Sequence, residues 1–197
     1  SGGIPQVITA NKIILAAGSS ATQLSFAPID NEFIIDPQRA LNLQSIPKTL
    51  GIIGAGAIGI ELAGIWNKLD TKVVLLEAQD SFMSMADHEI SDEAFKLYSQ
   101  QGLDIRLGSR VISTSIVGQQ VNVEYEDQQG RHQCAFDKLV VASGRKPNTE
   151  TLIAPSADLL LDEEGFVHVD KNCCSTLPGV YAIGDLTLSG PMLAHKG

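Results

Sequence analysis

Positive charge is scarce in this 197-residue chain: 14 Lys and Arg stand against 23 Asp and Glu, giving a formal net charge of −9. Such a surface repels the phosphates of nucleic acids and of anionic lipids, so we expect neither as a partner. Long apolar runs are also lacking, and none approaches the ~20 residues that span a bilayer. The first residues have no signal-peptide pattern and no initiating Met, so we expect a piece of a longer protein.

Cysteine is scarce as well, with three residues in the chain. Cys173 and Cys174 are adjacent, which suits an ordinary disulfide poorly, and Cys134 stands alone. No Cys-x-x-Cys pair occurs and the four His are scattered, so no metal site is predicted. Free thiols are typical of a reducing compartment, and we expect a cytoplasmic location.

Hydrophobic periodicity predicts a Rossmann-like α/β unit in the middle of the chain. Apolar runs at 50–53, 72–76 and 139–142 are typical of buried parallel strands. The helix after the first run is expected to bury Ile58, Leu62, Ile65 and Leu69. The helix predicted over 87–101 is expected to bury Ile90, Ala94, Leu97 and Tyr98. From 111 to 136 the period shortens to two, which predicts an antiparallel β-meander inserted into the parallel sheet.

The flanking regions are simpler. The apolar run at 13–17 predicts a further buried strand that stops at a glycine. The stretch 20–48 is punctuated by proline and predicts a linker, with a short helix over 37–43. A late strand is predicted over 166–169. At about 150 residues per domain the chain holds roughly 1.3 domains.

The strongest motif is a glycine-rich turn with the pattern G-x-G-x-x-G. Its residues are Gly54, Ala55, Gly56, Ala57, Ile58 and Gly59. The turn follows a strand, opens a helix, and is followed at the end of the next strand by Glu77, which is typical of dinucleotide-binding sites. The helix N-terminus would offer free N–H groups to a pyrophosphate. The alternative is a tight turn that binds no ligand.

Two acidic residues near the turn are candidates for contact with the nucleotide, and one of them, Glu77, bears on the choice between NAD and NADP. The Glu77 carboxylate can accept hydrogen bonds from a free ribose diol and repels a 2′-phosphate, and residues 78–81 contain no base, so we predict NAD rather than NADP. The alternative is a solvated glutamate at a strand end. Glu61 lies early in the helix, where it either stabilises the helix dipole or contacts the ligand near the nicotinamide.

Three apolar strands end in the dipeptides Gly18-Ser19, Gly144-Arg145 and Gly184-Asp185. Each dipeptide alone could be strand punctuation. Together they suggest backbone placed against one or more cofactors, with Asp185 able to accept a hydrogen bond from a ribose or ribityl hydroxyl.

In their order along the chain these motifs resemble the flavin-dependent pyridine-nucleotide disulfide oxidoreductases. The carriers are the turn with Glu61, the run 142–148 (Ala-Ser-Gly-Arg-Lys-Pro-Asn) and the run 181–185 (Tyr-Ala-Ile-Gly-Asp). The resemblance implies two interleaved nucleotide-binding domains. Residues 1–45 would be a strip of the FAD-binding domain with a linker, 46–148 the NAD-binding domain, and 149–197 a returning strip of the FAD-binding domain.

The resemblance also implies site residues and cofactors. NAD would be held by Gly54, Ala55, Gly56, Ala57, Ile58, Gly59, Ile60, Glu61, Glu77, Val111 and Gly144. FAD would be contacted by Ala17, Gly18, Ser19, Asp185, Met192, Leu193, Ala194 and His195. The family's redox Cys pair and its His-Glu base do not occur in this sequence. We therefore expect no catalytic residue here, and a fragment that binds NAD(H) without turnover.

The run 190–196 (Gly-Pro-Met-Leu-Ala-His-Lys) is similar to the dihydrolipoamide dehydrogenase branch of the family. This implies a homodimeric parent that oxidises dihydrolipoamide, carried on a lipoyl domain of a 2-oxoacid dehydrogenase complex, with hydride passing from FAD to NAD. The fragment itself is expected to be a monomer. Two alternatives stay open: a related NAD(P)H-dependent disulfide reductase with another substrate, and a non-catalytic NAD-binding redox-sensing module.

Overall fold

The computed structural model describes residues 6–150, 152–154 and 156–188. The chain divides into two compact units, one made of residues 1–20 and 145–197 and the other of residues 21–144. The helices are α1 Pro37–Leu41, α2 Ala57–Lys68 and α3 His88–Gln100, with a 3-10 turn at Gly184–Leu186. The strands are β1 Ile13–Leu15, β2 Ser19–Ala21, β3 Ile34–Ile35, β4 Thr49–Ile53, β5 Lys72–Leu76, β6 Asp104–Arg106, β7 Arg110–Val117, β8 Gln120–Asp127, β9 Gly130–Phe136, β10 Lys138–Val141, β11 Arg145–Pro147 and β12 Val180–Ala182.

A five-stranded parallel sheet organises the 21–144 unit, with the strand order β3-β10-β4-β5-β6. Leu50, Ile52 and Leu75 are fully buried, as expected for parallel strands that are covered on both faces. Strands β7, β8 and β9 form the separate antiparallel sheet that the sequence predicts. The predicted α/β class with a parallel sheet is confirmed.

Alternate residues of β4 face different layers. Ile52 packs in a core cluster with residues of α1 and α2, whereas Ile53 packs in a second cluster with residues of β8. Gly51 lies on the β8–β9 side, where a Cβ would come 2.6 Å from Cδ2 of Phe136. The parallel sheet therefore lies between helices on one face and the antiparallel meander on the other.

Helix α2 buries a different face from the one that periodicity predicts. Ile65 is 45% exposed and Leu69 is 43% exposed, so the predicted face is wrong at these two positions. The buried residues of α2 are Gly59, Ile60, Leu62, Ala63 and Trp66. The reason lies at the N-terminus of the helix, where Gly59 contacts the preceding turn and thereby fixes which face meets the sheet.

Helix α3 begins after Asp87, whose side chain accepts a 3.0 Å hydrogen bond from the Glu89 N–H. Its predicted face is half right. Tyr98 packs edge-on against Phe82, together with Phe95, which the prediction missed. Ile90 and Leu97, in contrast, are exposed.

The boundaries of the 21–144 unit differ from those predicted at 45/46 and 148/149. The main cause is β3, which lies in the predicted linker and pairs with β10 in the parallel sheet. The assignment of 1–45 and 149–197 to a flavin domain stays a prediction.

In the other unit, β1 pairs in parallel with β12, so that Ile14 lies opposite Tyr181. The predicted strand at 13–17 is shorter than expected, and its Ile13 and Ile14 are exposed rather than buried. The predicted strand over 166–169 is an isolated bridge between residues 161 and 167. Across the described ranges, no helix is both long and apolar enough to cross a membrane.

Candidate functional site

The glycine-rich turn lies at the carboxyl end of β4, beside the carboxyl ends of β5 and β10. The Gly54 N–H donates a 2.9 Å hydrogen bond to the Leu76 carbonyl at the end of β5. Gly54 has φ +105°, and a Cβ there would lie 2.6 Å from the Ala142 carbonyl oxygen. Glycine is required at this position both for the backbone conformation and for the close approach to the loop after β10.

Gly59 and Gly56 have different reasons to be glycine. A Cβ on Gly59 would come 2.0 Å from the Gly54 carbonyl oxygen, so the helix meets the turn backbone to backbone. Gly56 caps α2, is exposed and has an ordinary φ of −76°, and apart from its chain neighbours no described residue has an atom within 4 Å of where its Cβ would be. The fold therefore requires Gly59, whereas Gly56 keeps the approach to the N-terminus of α2 clear of side chains.

Glu77 closes this arrangement at the end of β5. One carboxylate oxygen accepts a 2.7 Å hydrogen bond from the Ala55 N–H and the other a 2.9 Å hydrogen bond from the Gln79 N–H. The side chain is half-buried. Glu77 lies 23 positions after Gly54 in the sequence, and in the structure it is hydrogen-bonded to the turn. This is the juxtaposition that the spacing predicts. Each carboxylate oxygen keeps a further lone pair for a ligand hydroxyl.

The other residues assigned to the nucleotide differ in exposure. Ala55 and Ile60 are buried and Ile58 is half-buried, so these three serve the core through their side chains, while Ala57 is exposed. Glu61 is exposed on α2, and its two interpretations both stand.

Val111 and Gly144 each lie close to the end of a strand. Val111 is the second residue of β7 and its side chain is buried in the second core cluster, so a contact with a ligand would fall to its backbone. Gly144 is exposed with φ +136°, three residues after the end of β10. The Gly144 carbonyl accepts a 3.0 Å hydrogen bond from the Thr22 N–H.

A second group of polar residues forms in the unit made of 1–20 and 145–197. Because β1 and β12 are parallel neighbours, the residues after them share one edge. There the Ser19 hydroxyl donates a 2.5 Å hydrogen bond to Asp185 and accepts a 2.6 Å hydrogen bond from Nε of Arg145. Arg145 also donates to the Ser19 carbonyl and lies 3.8 Å from the Asp185 carboxylate. One residue from each of the three predicted dipeptides, namely Ser19, Arg145 and Asp185, is therefore brought into this group.

The backbone of 17–18 is also held in place. Asn148 donates through its side chain to the Ala17 carbonyl at 2.9 Å, and its N–H donates to the Gly18 carbonyl at 2.9 Å. Asn148 was not among the predicted site residues, and Arg145 was predicted only as part of the Gly144-Arg145 strand end. Their signal in the sequence is their place directly after the Gly144 strand end. The predicted residues Met192, Leu193, Ala194 and His195 lie outside the described residues.

The chemistry of the site suits an anionic, diol-bearing ligand. Nowhere in the described part of the chain do three or more His, Cys, Asp or Glu side chains gather as they would to hold a metal ion. The fold offers instead an uncovered helix N-terminus and a hydrogen-bonded carboxylate on adjacent strand ends. These features fit the pyrophosphate and ribose of a dinucleotide.

Comparison with known proteins decides the family. The family model described as "Pyridine nucleotide-disulphide oxidoreductase" matches residues 4–197. The chain belongs to this family. The sequence-based resemblance to flavin-dependent disulfide oxidoreductases is confirmed, and so, for the family, are FAD and NAD as cofactors.

The relatives of this oxidoreductase family member cover nearly all of the chain. It is 41% identical over 192 residues to "Dihydrolipoyl dehydrogenase" of Cupriavidus necator, which covers 97% of the chain and 40% of the relative. It is 36% identical over 191 residues to "Dihydrolipoyl dehydrogenase 3" of Pseudomonas aeruginosa, over 96% of the chain and 40% of the relative. The chain thus spans about two fifths of the length of these relatives.

Among solved structures, the copper(II) complex of RclA, a HOCl-induced flavoprotein disulfide reductase from Escherichia coli, matches with a TM-score of 0.85. The two chains are 33% identical, and the match covers 96% of this chain and 43% of that chain. This likeness agrees with the parallel sheet and inserted meander of the 21–144 unit.

Proposed function

We propose that this chain is the NAD-binding part of a flavin-dependent disulfide oxidoreductase of the dihydrolipoyl dehydrogenase type. The observation that carries the proposal is the Glu77 carboxylate, which is anchored by the Ala55 and Gln79 N–H groups beside the glycine-rich turn. The names of the curated relatives support the dihydrolipoyl branch.

In this proposal the turn and α2 receive the pyrophosphate. Gly56 has no side chain and so leaves space for the pyrophosphate. The first N–H groups of α2 have no acceptors within the helix, so they can donate to phosphate oxygens. Glu77 accepts hydrogen bonds from the adenosine ribose diol. A 2′-phosphate there would meet an anchored carboxylate with no Lys or Arg at 78–81, so NAD is preferred to NADP.

FAD would be held in the other unit by the edge that carries Gly18, Ser19 and Asp185. Arg145 and Ser19 orient the Asp185 carboxylate, which can accept a hydrogen bond from a flavin hydroxyl. Bound flavin and nicotinamide together supply hydride transfer. The residues of this chain bind and orient; we assign the thiol chemistry to parts of the parent enzyme outside these 197 residues.

The reaction proposed for the parent is the oxidation of dihydrolipoamide to lipoamide. The dithiol loses two electrons and two protons and becomes a disulfide, while NAD⁺ gains a hydride and one proton is released. The partner is a lipoyl domain of a 2-oxoacid dehydrogenase complex. A cytoplasmic location, a homodimeric parent and a monomeric fragment belong to the same proposal.

A second candidate is a disulfide reductase with another substrate. The match to the Escherichia coli flavoprotein disulfide reductase, with its TM-score of 0.85, supports this alternative. The NAD site proposed above is common to both candidates, so its test does not depend on the choice of disulfide.

The test is titration of the 197-residue chain with NADH and with NADPH, followed by nucleotide fluorescence. We expect tighter binding of NADH, and no turnover with lipoamide. Glu77→Ala removes an acceptor that makes charge-assisted hydrogen bonds worth about 1.5–3 kcal/mol, so NADH should bind about ten- to hundredfold more weakly.

Glu93→Ala is the matched control, because Glu93 is a glutamate on α3 whose side chain is 65% exposed. It should leave NADH binding unchanged. Tighter binding of NADPH than NADH by the unsubstituted chain would refute the assignment of Glu77, and equal NADH affinity in Glu77→Ala and Glu93→Ala would do the same.

A further inference from the structure

The segment that carries Glu77 is fastened to the turn after β6 by three backbone hydrogen bonds. The Glu77 N–H donates to the Arg106 carbonyl at 2.9 Å, and the Ser109 N–H donates to the Glu77 carbonyl at 2.7 Å. The Gly108 N–H donates to the Gln79 carbonyl at 2.9 Å. The loop after β5 and the turn at 106–109 therefore form one hydrogen-bonded piece of backbone.

Gly108 is the close-contact point of this piece. Its φ is +60°, and a Cβ on it would lie 2.6 Å from Oδ1 of Asp80. The Asp80 carboxylate thus occupies the space that any side chain at 108 would need. A larger residue at 108 would force Asp80 to rotate or the loop to shift, in addition to the strain of a left-handed backbone.

Asp80 is adjacent to the residue that anchors Glu77. The Gln79 N–H holds one Glu77 carboxylate oxygen at 2.9 Å, while the Ala55 N–H holds the other at 2.7 Å. A shift of the 108 backbone that relieves the contact with Asp80 acts on Gln79 directly, because the Gly108 N–H donates to the Gln79 carbonyl. A substitution at 108 that shifts the backbone would therefore change the position of the Glu77 carboxylate.

We propose that Gly108 is a positioning residue for cofactor specificity. By lacking a side chain it lets Asp80 fold against the 106–109 turn, which keeps Glu77 in the conformation that selects a free ribose diol over a 2′-phosphate. The inference rests on the proposed NAD site and extends it to a residue that contacts Glu77 only through the intervening loop.

The experiment compares Gly108→Ala with Gly118→Ala in the 197-residue chain, using NADH and NADPH titrations. Gly118 is a matched control, because its φ is +63° and apart from its chain neighbours no described residue has an atom within 4 Å of where its Cβ would be. Both substitutions strain a left-handed backbone, but only Gly108→Ala displaces Asp80. We expect NADH to bind about fivefold more weakly in Gly108→Ala, part of the tenfold or greater effect of losing a charge-assisted hydrogen bond.

The ratio of NADPH to NADH dissociation constants separates positioning from simple loss of folded protein. Partial unfolding weakens both nucleotides equally and leaves the ratio unchanged, whereas a misplaced Glu77 lowers it. A double variant, Asp80→Ala with Gly108→Ala, removes the colliding carboxylate. Relative to Asp80→Ala alone, the NADH affinity of the double variant should fall by less than about twofold. The reason is that Gly108→Ala has its effect through the contact with the Asp80 carboxylate, which is absent in both variants.

Gly108→Asn provides a second test if Gly108→Ala folds poorly, because Asn tolerates positive φ better while its Cβ still meets Asp80. It should lower the nucleotide ratio in the same way. If the unsubstituted chain binds no NADH, the proposed function fails. If it binds NADH but the 108 variants keep its NADPH-to-NADH ratio, or the double variant shows no recovery, the inference on Gly108 is overturned.

Discussion

The tightest approach in the glycine-rich turn is between Gly59 and Gly54. A Cβ at Gly59 would stand 2.0 Å from the Gly54 carbonyl oxygen, and because that atom belongs to the backbone it cannot rotate aside. Helix α2 would have to shift away from β4. Overpacking substitutions cost about 1–3 kcal/mol, and a clash with backbone belongs at the upper end. We therefore expect Gly59→Ala to lower the free energy of unfolding by about 3 kcal/mol.

Gly64 provides the control within the same helix. A Cβ there would lie 3.5 Å from Cε1 of Tyr98, which is an ordinary contact, and alanine at a helix-interior glycine gains up to about 1 kcal/mol. Urea denaturation measures both variants. At an unchanged m-value, the midpoint should fall for Gly59→Ala and should rise or stay for Gly64→Ala. Equal midpoints for the two variants would show that the Gly59–Gly54 approach does not place α2.

Two further predictions concern titrating groups. Burial raises the pKa of the Cys134 thiol to about 11, so at pH 8 about one thiol in a thousand is ionised. In a chain with Cys173→Ser and Cys174→Ser, we expect a disulfide reagent to label Cys134 about a hundredfold faster in urea than in buffer, and equal rates would contradict this. Burial raises the pKa of Asp137, but hydrogen bonds, led by that from the Thr49 N–H, lower it on balance from 3.8. The carboxylate therefore stabilises the fold above about pH 4, and this contribution is lost as the pH falls through the lowered pKa. Asp137→Asn should lose less thermal stability between pH 6 and pH 3 than the unsubstituted chain does, and an equal loss would argue against the Asp137 hydrogen bonds.

The parallel strands and the meander could be predicted because their signals are local. A fully buried strand such as β4 is apolar at nearly every position, and the period of two in β7, β8 and β9 is visible within each strand. Strands β3 and β6 carry no such signal, since they have two and three residues. They exist because neighbouring strands supply their hydrogen-bond partners.

The buried faces of the helices depend on contacts that lie outside the helices. Ile65 fits the expected apolar stripe of α2 as well as Trp66 does, and the choice is made by the Gly59–Gly54 contact at the helix N-terminus. In α3 the choice is made by Phe82, which attracts Phe95 and Tyr98 rather than Leu97. Periodicity alone does not contain this information.

The site shows the same division. The spacing from the turn to Glu77 could be predicted, because a strand of fixed length returns the chain to the same sheet edge. The role of Gly108 could not, because it arises from a contact between the ends of β5 and β6. The partners of Arg145 could not be predicted either, because Ser19 lies more than a hundred positions before it and Asp185 lies forty positions after it.

The net charge of −9 and the proposed anionic ligand are compatible because the site draws its positive ends from the backbone. The turn divides its N–H groups between two tasks. Gly54 and Ala55 donate inward, to the Leu76 carbonyl and to Glu77, and so fix the turn and the ribose acceptor to each other. The N–H groups that open α2 precede its first internal hydrogen bond, from Ile60 to Gly56, and so have no acceptor within the helix. In the proposed function, selectivity against a 2′-phosphate and attraction of a pyrophosphate would thus both come from this turn and Glu77, and neither would require a basic side chain.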